Sequence, residues 1–92
     1  MLSHRTNDEP GDAEALALAA LAATLTDERR ARRFLDLTGL DAGELRARAG
    51  ERRLLAALLG FLEAHEPDLV NVAQAIGIKP EKLIMARLEL ER

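Results

Sequence analysis

The chain has no cysteine, no tryptophan and no tyrosine, and its only aromatic residues are Phe34 and Phe61. Without cysteine there is neither a disulfide nor a thiolate zinc site, and a reducing cytoplasm is the expected setting. Residues that favour strands are scarce, whereas Leu, Ala, Arg and Glu abound, so an all-α fold follows. Long apolar runs are missing too. The longest largely apolar stretch, Ala13 to Leu25, is too short and too alanine-rich to span a bilayer. Met1 to Gly11 is polar, without the apolar centre of a signal peptide, so no export, anchor or membrane partner is expected.

What is present is 92 residues, 48% of them hydrophobic, enough for one small core. The net charge is −3 but unevenly spread. Met1 to Glu28 holds one arginine against six acids. Arg29 to Arg53 holds eight arginines against four acids, and the remainder is mildly acidic. An arginine run on a helix is usually a solvated face; the competing reading is a basic surface.

Residues 1–11 read as a disordered tail and 12–92 as a single helical domain. Asp12 opens a first helix to about Leu25, with Leu18, Leu21 and Leu25 on one side and Leu16 opposite. Being apolar or small all round, it should be central. Thr26-Asp27-Glu28 starts a second helix, which directs Ala31, Phe34, Leu35 and Thr38 inward and ends at Thr38. Asp41 and Glu44 have capping-box spacing and open a short third helix. A fourth, Glu51 to about His65, carries a broad leucine face. Glu66-Pro67-Asp68 starts a fifth that ends at Ile76, and Pro80 opens a sixth.

One pattern occurs twice: an apolar helix, a glycine, an aliphatic residue, then a new helix. Thr38-Gly39-Leu40 and Ile76-Gly77-Ile78 are its two centres. Glycine just past a helix adopts the left-handed conformation at little cost, and the next aliphatic residue packs back on the last turn. A shift of 38 residues superposes helices one to three on four to six, matching Gly39 with Gly77 and Leu45 with Leu83. The expected architecture is a compact bundle of five to six short helices. It has helix-turn-helix-like corners at Gly39 and Gly77, and it is consistent with a pseudo-repeat of two three-helix units. So few identities in so Leu- and Ala-rich a chain are also compatible with chance.

The Gly77 corner fits a helix-turn-helix template at Ala73, Gly77, Ile78, Leu83 and Ala86. Base reading needs polar side chains on the second helix, yet Lys79, Lys82 and Arg87 are offset there by Glu81 and Glu89. The basic-surface reading gathers Arg29, Arg30, Arg32 and Arg33 with Arg46, Arg48, Arg52 and Arg53, on condition that helices two and three dock together. With no exposed aromatic to stack on a base, single-strand recognition is disfavoured. The strongest interaction signal is the sixth helix. Leu83, Ala86 and Leu90 suffice for its inner stripe, so Ile84, Met85 and Leu88 are surplus, either for a partner chain or a second copy, or buried by the N-terminal half.

Catalytic readings are weak. His4 lies in the tail, and His65 beside Glu66 and Asp68 is better explained by helix capping than by a metal. No phosphate loop and no nucleophile–base pair is present, so neither an enzyme nor a cofactor is expected.

Glu14-Ala15-Leu16-Ala17-Leu18, Arg33-Phe34-Leu35 with Leu37-Thr38-Gly39-Leu40, and Glu44-Leu45-Arg46-Ala47-Arg48-Ala49 resemble a family of small bacterial helical proteins classed as a domain of unknown function. Ile76-Gly77-Ile78-Lys79-Pro80-Glu81 is similar to that family's C-terminal corner. The resemblance implies a compact helical domain and carries no catalytic residue or ligand. The functional expectation is a helical protein–protein interaction module working through its last helix; the alternative is a nucleic-acid-binding regulator.

Overall fold

The computed structural model describes residues 12–92, so the tail expected over residues 1–11, with His4, lies outside the described residues. Six helices follow one another: α1 (Asp12–Leu25), α2 (Glu28–Thr38), α3 (Ala42–Ala47), α4 (Arg52–Glu63), α5 (Glu66–Ala75) and α6 (Pro80–Leu90). No strand occurs among the described residues.

Local chemistry sets the boundaries. Asp27 caps α2, its side chain accepting from the Arg30 backbone N–H at 2.9 Å. Asp41 and Glu44 close a capping box on α3, each side chain accepting from the other residue's N–H. Gly39 and Gly77 both have positive φ, 74° and 79°. The two corners nevertheless close differently. At the first, the Gly39 N–H donates to Leu35 O, a single αL closure. At the second, Ile78 N–H donates to Ala73 O and Gly77 N–H to Gln74 O, the paired Schellman closure. Leu40 and Ile78 then pack back on the core, as the pattern requires.

α4 is the principal core helix, with Leu54, Leu55, Leu58, Leu59, Phe61 and Leu62 buried. α1 is also central and packs on α6, α4, α2 and α5. The sequence left open which of its sides turns inward. The buried residues are Ala13, Ala17, Ala20, Leu21 and Thr24, while Leu18 and Leu25 point outward at 45% and 40% exposure. Of Leu18, Leu21 and Leu25, Leu21 alone is inside. Small side chains let α1 approach several neighbours at once, whereas leucines on that face would hold it off. Thr24 needs no external partner, because its hydroxyl donates to Ala20 O at 2.7 Å.

Burial coincides at some positions 38 residues apart and differs at others, since Leu18 is exposed where Ala56 is buried and Ala13 is buried where Glu51 is exposed. Ala17 and Leu55, Ala20 and Leu58, Leu21 and Leu59, Thr24 and Leu62, Phe34 and Val72, and Leu45 and Leu83 are all buried pairs of equivalent positions. Glu14 and Arg52, also equivalent, contact each other at 3.0 Å, as residues near a two-fold axis do. The symmetry breaks at the third helix of each unit. α3 has six residues and packs little on other helices, while α6 has eleven and packs on both α1 and α4.

Candidate functional site

The arginines do not act as one surface. Arg33 sits 2.8 Å from Asp68, and its guanidinium lies 5.1 Å from the centre of the Phe61 ring. That ring in turn packs against Phe34, centroids 5.2 Å apart. The Arg33–Asp68 contact is coulombic, since the guanidinium N–H bonds are not aligned on the nearby carboxylate oxygen. Arg30 donates to Ala23 O in the last turn of α1, a carbonyl that also accepts from the N–H and hydroxyl of Thr26. Arg52 donates to Glu14 on α1 and to the carbonyls of Glu89 and Leu90, so it ties α1 and the end of α6 to the start of α4. Among the described residues, Arg29, Arg32, Arg46, Arg48 and Arg53 are exposed without an ion pair. They come from α2, α3, the α3–α4 turn and α4. The condition for joining them fails, because α2 and α3 do not pack extensively on each other.

The lysines of the Gly77 corner, Lys79 and Lys82, are exposed, but Arg87 is not available beside them. Arg87 is half-buried between Glu63 on α4 and Glu91, and the hydrogen bond it donates to Glu63 raises its pKa above the ordinary arginine value. It crosses α4 next to Gly60 and serves the α4–α6 packing. His65, Glu66 and Asp68 form no metal cluster, and none occurs among the described residues. The acids at this junction were expected to cap α5. Glu66 and Asp68 do lie in the first turn of α5, but Asp68 is also buried, 6% exposed and facing Arg33, and His65 occupies the N-cap position without a side-chain cap bond.

The surplus apolar residues of α6 divide. Ile84 is half-buried against the core, whereas Met85 and Leu88 are 62% and 53% exposed. Among the described residues, the N-terminal half does not cover them. Met85 stands on the rim of an open groove of about 800 Å3 between α1 and α6, whose walls include Ala13, Leu16, Ile78 and Ala86 and whose edges include Lys82 and Glu89.

α1 adds a feature that the leucine pattern concealed. Its outward side carries Ala15, Leu18, Ala19, Ala22 and Leu25, all exposed and none charged. The visible signal was the absence of any charge between Glu14 and Asp27. Ala15 and Leu16 lie at the groove with Met85, whereas Leu18 and Leu25 turn to the other side of α1.

Fold and surface together define a small all-helical domain with an uncovered apolar side and a dispersed arginine set. The chain belongs to the family described as Protein of unknown function (DUF3572), whose model matches residues 10–92. This agrees with the resemblance carried by the Leu37-Thr38-Gly39-Leu40 stretch. No curated protein and no solved structure matches the chain. No helix among the described residues is long and apolar enough to cross a membrane.

Proposed function

We propose that this protein is a helical protein–protein interaction module that binds through the outward faces of α6 and α1. The supporting observation is that Met85, Leu88, Leu18 and Leu25 stay exposed in the folded chain although its core is complete without them. Exposed large apolar groups one helical turn apart, as Met85 and Leu88 are on α6, are characteristic of protein contact surfaces. Association here requires no catalytic step and no cofactor, and a reducing cytoplasm suits a cysteine-free surface.

The test compares the native chain with Met85→Asp and Leu88→Asp as baits in a lysate of the source cell. Both positions are solvated, so circular dichroism should show an unchanged fold. Partners held by the native chain and lost from both variants support the reading. Equal capture by all three overturns it.

Nucleic-acid binding is the second reading, and it rests on Lys79 and Lys82. The commitment of Arg87 to Glu63 and Glu91 weighs against it, since duplex affinity grows with the number of phosphates neutralised. A gel-shift titration at low salt checks it, and Lys82→Glu should abolish any shift that depends on this corner.

A further inference from the structure

The outward face of α6 carries more order than apolarity alone. Glu81, Met85 and Leu88 succeed one another at spacings of four and three residues, which places them on one narrow stripe along the helix, and Arg92 follows just past its end, its N–H bonded to Glu89 O. All four are exposed. The stripe therefore reads acid, apolar, apolar, base. Lys82 and Glu89 flank it on the groove side. Glu91 flanks the opposite side, where Arg87 already pairs with it at 2.7 Å.

We propose that the occupant of this stripe is a second copy of the chain, its α6 antiparallel to the first about a two-fold axis between Met85 and Leu88. This inference rests on the interaction-module reading and names its partner. Reversing the helix is what makes the face complementary to itself. Met85 of each copy packs on Leu88 of the other, and Glu81 meets Arg92 of the second copy at both ends. The flanking Lys82 meets Glu89 of the second copy. A two-fold contact makes each of these interactions twice, so every charge on the stripe finds an opposite. A parallel pairing would instead set Glu81 against Glu81 and Arg92 against Arg92. The single pair within the chain that competes, Arg92 with Glu89 at 3.0 Å, is exposed and exchanged without loss. One short helix pair covers less than a standard interface, so the dimer is weak and concentration-dependent, with a dissociation constant in the micromolar range or above.

Sedimentation equilibrium of the full chain, from micromolar to millimolar at low salt, tests the proposal. The native chain should show a monomer–dimer equilibrium that Met85→Asp weakens by about tenfold or more. Glu81→Arg and Arg92→Glu should each weaken it several-fold, because each sets like charges together at both ends. Mixed in equal amounts, those two variants should associate as tightly as the native chain, since opposite charges face each other again. A mixture no tighter than either variant alone overturns the two-fold pairing. So does a native chain that stays monomeric throughout. In that last case, retained Met85-dependent capture from lysate leaves the interaction-module reading standing, and its loss removes both.

Discussion

Asp68 shows how part of a side chain's task stays hidden when only its neighbours in sequence are visible. An acid just after Glu66-Pro67 reads as helix-terminal, yet it is also buried and answered by Arg33, 35 positions away in the chain. Removing Arg33 leaves a desolvated carboxylate without its cation and strips the cover from the Phe61 ring. Because the Arg33 side chain is 45% exposed, water moderates that loss. Arg33→Ala should therefore cost about 1–2 kcal/mol in urea unfolding, whereas Arg32→Ala, two-sided in solvent, should stay within about 0.5 kcal/mol. Asp27 offers a second residue-level test, this time through pH. The backbone N–H of Arg30 is the main cause holding its carboxyl below the ordinary value of 3.8, assisted by the Arg30 charge. A folded-state pKa below the unfolded one gives stability that is complete above the unfolded value and fades as pH falls through the folded one. Asp27→Asn keeps the capping oxygen and removes the titration. Its urea midpoint should fall less than that of the native chain between about pH 5 and pH 3.

At the scale of elements, the two glycine corners are where sequence and structure agree best. Positive φ at Gly39 and Gly77 is what the pattern of helix, glycine and aliphatic residue demands, and both sites have it. A methyl group added at either would meet nothing within 4 Å, so a substitution is penalised by backbone conformation alone. Gly39→Ala and Gly77→Ala should each cost about 1 kcal/mol, and Asn should cost less than Ala. Gly50 also has open space but lacks positive φ, so Gly50→Ala should be neutral or slightly stabilising. The caps and corners were legible because they are local: Asp27, Asp41–Glu44 and the glycines act within five residues. The α4 core was legible because its leucines cover one broad face. α1 was not legible, because a helix of alanine and leucine on every side gives periodicity nothing to select. Which side turned inward depended on how closely α4 and α6 approach, information that its own residues do not carry. The same non-locality hid the engagement of Arg30, Arg33, Arg52 and Arg87.

At the scale of the whole molecule, α1 links folding to surface. At three of four buried pairs of positions 38 residues apart, α1 carries alanine or threonine where α4 carries leucine; Leu21 and Leu59 are the exception. Large groups from one half thus fill the space that small groups of the other leave open. The leucines of α1 that do not fit there, Leu18 and Leu25, remain at the surface. This arrangement makes a reciprocal prediction. Ala17 and Ala20 are both 0% exposed, so Ala17→Leu or Ala20→Leu must push α1 away from its neighbours and should cost about 1–3 kcal/mol or more. Leu18→Gln and Leu25→Gln should change stability by less than about 1 kcal/mol, because those side chains already meet water. Were the leucine side the inner one, the polar substitutions would be the damaging ones and the enlarged alanines harmless. Urea unfolding of the four variants decides between these orders. Leu18→Gln carries a second readout, because it alters the exposed apolar side of α1. If that side is a contact surface, the variant should keep native stability and still lose partners, a separation that a purely structural leucine would not produce.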